Sequence, residues 1–176
     1  MSGLIVPYGD ARPRADASVY LAPGSAVVGD VEIDAESSLW PGAVLRGDEA
    51  GVRVGERSNI QDRCVVHVEF GTPTIIGCGV SVGHAAVLHG CVLEDGCLIG
   101  VSATVLDGAV IGKEAFIAAG AVVLPGVRVG PRELWGGVPA RRLRDLNDDD
   151  LALMTRVADN YVKRARQFKE AGETDG

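Results

Sequence analysis

The three histidines of this chain, His67, His84 and His89, all lie between positions 67 and 89. Three neutral imidazoles with a fourth position left open are the donor set of a catalytic zinc rather than a structural one. No H-x-x-H spacing joins them, so a single helix does not gather them; a longer-range pattern must. Around them stand Arg46, Asp48, Glu49, Asn59, Gln61 and Asp62, a guanidinium, carboxylates and amides of the kind that line a polar pocket or fasten an interface. Two other readings stay open on residue type alone. The histidines are unrelated surface residues in turns, or Cys78 or Cys91 joins them in a mixed site.

The element that must position these groups is a repeat of six. Leu21, Val27, Ile33, Leu39 and Leu45 follow at intervals of six, with Ser25, Val31, Ser37 and Ala43 at a small position between them. The frame resumes at Val54, Ile60 and Val66, with Ser58 and Cys64 at the small position. It resumes again at Ile76, Val82 and Leu88, with Val80, Ala86 and Val92. One residue is then dropped. Leu93, Ile99, Val105, Ile111, Ile117, Val123 and Val129 follow, with Cys97, Ala103, Ala109, Ala115, Ala121 and Val127. Alternation with period two, the mark of an ordinary antiparallel sheet, does not produce this. Each hexad reads as one short strand and a corner, three hexads as one triangular coil, and the whole as an all-β parallel β-helix whose coils stack about 4.8 Å apart. Gly29, Gly55, Gly77, Gly83, Gly100, Gly112 and Gly130 fall where corners would favour a residue tolerant of φ > 0.

The repeat spans residues 1–130, an extended exit segment 131–146, and a C-terminal helix 147–172. Asn147 is a suitable N-cap, Asp148 to Asp150 suit the positive end of the helix dipole, and Gly172 suits the stop. Leu151, Met154, Val157, Ala158, Tyr161, Ala165 and Phe168 give the helix one apolar face, which must cover the prism or a neighbouring subunit.

Counting hexads places the chemistry. His67 follows Val66 and His89 follows Leu88, three hexads later, so the two stack on one corner, one coil apart. His84 lies two residues after Val82, on another corner about 15–18 Å away. One subunit cannot bring all three rings to one ion, but two subunits of a threefold-symmetric trimer can. Arg46 stacks one coil below His67; Gln61 and Asp62 stack one coil below His84. An ion pair of Arg46 with Asp62 or Asp48 suits an interface, and Gln61 and Glu49 suit a pocket.

Composition excludes several classes. With 17 Lys+Arg against 24 Asp+Glu the net charge is −7, a poor match for nucleic acid or an anionic membrane surface. No apolar run approaches the roughly 20 residues of a membrane helix. The first seven residues have neither a basic n-region nor an apolar h-region, and the four cysteines form no C-x-x-C pair, as suits reduced thiols in the cytoplasm.

Arg46-Gly47-Asp48, Asn59-Ile60-Gln61-Asp62 followed by His67, Gly83-His84 through Leu88-His89-Gly90-Cys91, and Gly136-Gly137-Val138-Pro139-Ala140 together resemble the γ-class carbonic anhydrase family. The resemblance implies a left-handed β-helix homotrimer. It also implies a lyase that hydrates CO₂ to bicarbonate with a metal-bound hydroxide, the ion held by His67, His84 and His89 across an interface. Zn²⁺ is the implied metal, with Fe²⁺ or Co²⁺ as alternatives. Arg46, Asp48 and Asp62 would hold the trimer and Gln61 would lie by the metal-bound water. Asn59 and Glu49 match positions near the pocket, Glu49 as a proton carrier, and Tyr161 matches a residue reaching in from the helix. One departure is the loop at 70–74, which is short and has no carboxylate where the founding type carries its proton-shuttle Glu; Glu69 just precedes it. A hexapeptide-repeat acyltransferase shares the fold but needs one catalytic His and a groove for CoA phosphates, for which the Arg141-Arg142 pair is the nearest feature. A non-catalytic trimer retaining the metal is the third reading.

Overall fold

The computed structural model, which describes residues 3–174, is a three-sided parallel β-helix closed by one long helix. Face one stacks Leu4–Val6, the first parts of Ala26–Ile33 and Val44–Val54, then Val65–His67, Val87–His89, Thr104–Val105 and Val122–Val123. Face two stacks Arg14–Ala15, the second parts of the same two long strands, then Thr74–Ile76, Val92–Leu93, Val110–Ile111 and Arg128–Val129. Face three runs from Tyr20–Leu21 through Ser38–Leu39, Asn59–Ile60, Ser81–Val82, Leu98–Ile99 and Phe116–Ile117 to Glu133–Gly136. The first corner joins faces one and two, the second joins two and three, and the third joins three and one.

The hexad aliphatics fill the prism. Leu39, Leu45, Ile60, Ile99, Ile111 and Ile117 have no exposed surface, and the rest of the row from Val27 to Val129 is buried with them. Small residues sit between, because three faces converging on one axis leave no room for a second large side chain. In the early coils that small residue is serine. The hydroxyls of Ser25, Ser37 and Ser58 donate to the carbonyls of Ala22, Gly55 and Gly77 at 2.7, 2.9 and 2.7 Å, which removes the cost of burying them.

Three expectations change. The dropped residue falls before Cys91, so Cys91 is the inward small residue (0% exposed) and Val92 is only half-buried. Of the glycines assigned to positive φ, only Gly29 has it. The others are glycine because successive coils touch: a Cβ on Gly100 would lie 2.4 Å from the Ala119 nitrogen, and one on Gly112 2.7 Å from the Pro131 nitrogen. The left-handed corner positions instead include Glu36, Arg57, Arg63, Ala85, Ser102, Glu114 and Arg132. Finally, the parallel stacking continues past Gly130, since Leu134 and Trp135 pair with Phe116 and Ile117 before Arg141–Asp145 returns antiparallel.

The helix, Asp148–Thr174, runs past Gly172 and lies on face three of its own chain. Asn147 Oδ1 accepts from the Asp150 N–H and Asp150 Oδ2 accepts from the Asn147 N–H, both at 2.9 Å, a reciprocal cap. Met154, Val162 and Ala165 are buried. Trp40 is the anchor, with the rings of Tyr161, Phe168 and Tyr20 at 5.3, 5.5 and 5.5 Å. Such aromatic contacts contribute about 0.5–1.5 kcal/mol each beyond their area. Arg57 reaches Asp159 at 2.8 Å, and Arg166 pairs with Glu36.

Two outcomes follow. Gly100→Ala, forced against backbone, should cost about 1–3 kcal/mol in thermal unfolding; Gly120→Ala, at φ +68 with nothing within 4 Å, should cost less. The Arg144 guanidinium and then the Asn147 N–H hold the Asp150 carboxyl down to about 2. A depressed carboxylate stabilises the fold above its unfolded value near pH 4 and loses that contribution as pH falls through 2. Asp150→Asn should therefore melt below wild type at pH 7, and the two melting temperatures should converge as the pH is lowered toward 2.

Candidate metal centre

The first corner gathers the histidine pair. Parallel register sets His89 directly above His67, with Leu88 on Val66 and Val87 on Val65. The ring centroids are 4.9 Å apart and His67 Nδ1 faces His89 Nε2 at 3.0 Å. The other nitrogen of each ring meets a carboxylate: His67 Nε2 lies 2.9 Å from Asp48 Oδ1, and His89 Nδ1 lies 2.5 Å from Asp107 Oδ1. A carboxylate only accepts, so each ring commits its one proton outward. The two nitrogens left facing each other then both carry lone pairs, an arrangement that attracts a cation.

Insertions in the repeat build this corner. Opposite the single residue Asp30, the strand Val44–Val54 carries Asp48 to Gly51, and this bulge swings Asp48 up to His67. Arg46 forms an ion pair with the same carboxylate. Partial burial pushes the Asp48 pKa up, but the hydrogen bonds from His67 and Arg46 outweigh it and hold the carboxyl below its ordinary value. Glu49, one residue on, is exposed and faces a shallow hollow of about 370 Å³ with Tyr8, Asp10 and Asp30. The second insertion folds as a small hairpin, Glu69 bridging Thr72, with Phe70 80% exposed at its tip.

The third corner holds the remaining candidates. His84 Nδ1 lies 2.9 Å from Asp62 Oδ2, one coil below, and both are substantially exposed. Beside Asp62, Gln61 is nearly buried and donates from Nε2 to Asn59 Oδ1 at 3.0 Å; Asn59 donates from Nδ2 to Ser81 Oγ at 2.8 Å. Tyr161 comes in from the helix over Trp40; burial and then the Asp62 charge raise its phenol above the ordinary value. So Arg46, Asp48, Glu49, His67 and His89 gather at one end of face one, and Asn59, Gln61, Asp62, His84 and Tyr161 at the other. Within the chain Arg46 pairs with Asp48, and Asp62 pairs with His84.

Sequence reasoning missed Asp107, and named Glu69 only as the carboxylate before the short loop, not as a neighbour of His89. Each offers an oxygen within 4.8 Å of a His89 nitrogen and of the other, the one such cluster among the described residues. Asp107 was within reach of counting, since it directly follows Leu106, the position one coil above His89. The mixed cysteine site has no basis in the geometry: Cys91 points into the core, and Cys78 lies at the second corner, its N–H on Asp95.

A hexapeptide solenoid with paired histidines at a corner defines a broad class, and comparisons narrow it. The chain is 47% identical over 163 residues to gamma carbonic anhydrase 1, mitochondrial, of Arabidopsis thaliana, covering 89% of this chain and 59% of the plant protein. It thus spans about three fifths of that relative. It is 40% identical over 166 residues to a carbonic anhydrase of Geobacillus kaustophilus, covering 94% of this chain and 91% of that one. A Bacillus cereus crystal structure, provisionally named an acetyltransferase, superposes with a TM-score of 0.96 at 36% identity, covering 97% and 99% of the two chains. No protein-family profile matches the chain. The chain belongs to the γ carbonic anhydrase family.

Cys64, Cys91 and Cys97 are buried, which pushes their thiols up to about 11, 12 and 12, while Cys78 is exposed. A disulfide reagent at pH 8 should modify one thiol per folded chain and four after denaturation; rapid reaction of three or more in the native protein would contradict this packing.

Proposed function

We propose that this chain is a metal-dependent lyase that hydrates CO₂ to bicarbonate, each site being assembled between two copies of a homotrimer. The observation that carries the reading is the lone-pair gap between His67 and His89. Its 3.0 Å span compares with roughly 3.3 Å between two nitrogens sharing a tetrahedral zinc. The donor set suits Zn²⁺, and Fe²⁺ or Co²⁺ also accept imidazole nitrogen. His84 supplies the third ligand from a neighbouring copy.

The trimer is supported by face one itself. Val44, Val65, Val87, Thr104 and Val122 form an outward stripe along it, with Val65 42% exposed, and a histidine corner flanks each edge. Three such faces turned inward would bring the first corner of one copy to the third corner of the next. Arg46, Asp48 and Asp62 would lie along that seam.

When bound, the ion supplies Lewis acidity, bringing the acidity of its water near neutral pH. The protein supplies the rest. The amide of Gln61, fixed by Asn59, orients CO₂ or water by hydrogen bonding. Tyr161 stays a protonated donor at neutral pH. Glu49 receives the released proton and passes it to solvent, with Glu69 a second carboxylate at the same corner. Hydration needs no cofactor beyond the ion, and among the described residues no helix is long and apolar enough to cross a membrane. A cytoplasmic setting without a nucleic-acid partner goes with the acidic charge and the free thiols.

Acyl transfer is the second reading, favoured by the transferase names given to solved hexapeptide-repeat structures such as that from Bacillus cereus. Against it, Arg142 is already paired with Glu133 and Asp145. A non-catalytic metal-holding trimer is the third.

Protein purified without added metal should carry one ion per chain, lost in His84→Ala, and stopped-flow hydration should fall to the uncatalysed rate with it. Mixed trimers of His84→Ala and His67→Ala chains should regain part of both, because one interface can draw both intact halves. No recovery in mixed trimers would end the shared-site reading, and metal without hydration would leave the non-catalytic one.

A further inference from the structure

We propose that Asp107 is the positioning residue of His89: its carboxylate claims the Nδ1 proton and so turns the Nε2 lone pair toward His67. The inference rests on the metal reading above, and concerns a residue outside the motifs that carry the family resemblance.

Three features place Asp107 there for this purpose. It stands on the coil after His89, as Asp48 stands on the coil before His67, so the histidine pair is braced from both sides along the prism axis. Gly90 clears the path. A Cβ at Gly90 would lie 2.6 Å from Asp107 Oδ1, so any side chain there would push the carboxylate away. Gly90 also occupies φ +52, next to the one place where the hexad frame drops a residue. With that residue gone, Leu106 takes the place one coil above His89, and Asp107, the next residue, turns its carboxylate back to the ring.

A rival use of the same atoms is a cation held by Glu69, His89 and Asp107. The contact argues against it. Oδ1 and Nδ1 are 2.5 Å apart, at or inside the short limit of a direct charge-assisted hydrogen bond and less than the roughly 3 Å between two ligands of one ion. Without Asp107, His89 is free to carry its proton on either nitrogen. Outer-shell partners of this kind change metal affinity by about 10–100-fold.

The test uses full-length protein and two readouts. Zinc affinity is measured by chelator competition for wild type, His89→Ala, Asp107→Ala and Asp107→Asn. The tautomer of His89 is read in metal-free protein at alkaline pH from ring ¹⁵N shifts, which is tractable with three histidines in the chain. The proposal expects Asp107→Ala to weaken zinc binding about 10–100-fold and to move His89 from the Nδ1–H form toward Nε2–H, with His84 unchanged. Asp107→Asn keeps an acceptor of the same size and should fall between; it also serves if the alanine variant does not fold. If His89→Ala abolishes zinc binding while Asp107→Ala leaves both affinity and tautomer as in wild type, the positioning role is wrong and the metal reading stands. If His89→Ala leaves zinc binding intact, the metal reading fails, and the tautomer readout still decides what Asp107 does. Two ions per wild-type chain, one lost with Asp107, would overturn the proposal in favour of a ligand role.

Discussion

Two imidazole nitrogens face each other at 3.0 Å, and for neutral rings the proton of each belongs on the other nitrogen. That follows from two outward commitments, His67 to Asp48 and His89 to Asp107, because a neutral ring has one proton and a carboxylate takes it. A gap between two acceptors is unfavourable unless a positive charge fills it. Much of the corner around it serves to keep it in place. Parallel pairing sets the rings one coil apart, at a backbone spacing of about 4.8 Å that the strand ladder dictates. The solid core beneath, with Val66 and Leu88 fully buried, prevents the two rings from drifting apart.

A scaffold with so strict a period gives few places to put a polar group. Inward positions must be aliphatic or small, and side positions are flat and shared with neighbouring coils. Corners are left. Three breaks in the hexad frame, the Asp48–Gly51 bulge, the hairpin after His67 and the residue dropped after His89, all fall at the first corner. A carboxylate accompanies each: the bulge lifts Asp48, the hairpin sets Glu69 beside His89, and beyond the shortening Asp107 meets His89 from the coil above. At the first corner the carboxylates sit where the repeat is broken, whereas the third corner holds Asp62 and His84 within an unbroken frame.

The parallel β-helix was legible because its cause is periodic. One inward aliphatic every six residues is a direct print of the three-sided core, and counting by threes alone puts His67 under His89. Counting failed where a local detail outranked the period. Val92 was taken for the inward residue since the frame was carried one residue too far, past the shortening that makes Cys91 the buried one. The glycines were read as conformational when most are steric, because the approach of one coil to the next, seen at Gly100 and Gly112, leaves no mark in a single hexad. Asp107 is not legible from the aliphatic column, which steps by 17 from Leu88 to Val105, whereas Asp107 stands 18 from His89.

The helix shows a different economy. Aromatics are 5% of the chain, yet Tyr20, Trp40, Tyr161 and Phe168 meet at one contact between the helix and face three. The prism interior is too narrow for rings, so the large apolar groups are spent outside it, where a helix needs area to dock. That docking also bears on the third corner. Tyr161, by stacking on Trp40, is held close enough to Asp62 to feel its charge, and Asp62 is the partner of His84. Trp40 itself stands one coil below Gln61, its N–H donating to Ser38 in the same column of polar groups as Asn59 and Ser81. A substitution at Trp40 would therefore loosen the helix and, through Tyr161, the surroundings of a histidine it does not touch. The same contact that closes the fold shapes the polar end of face one.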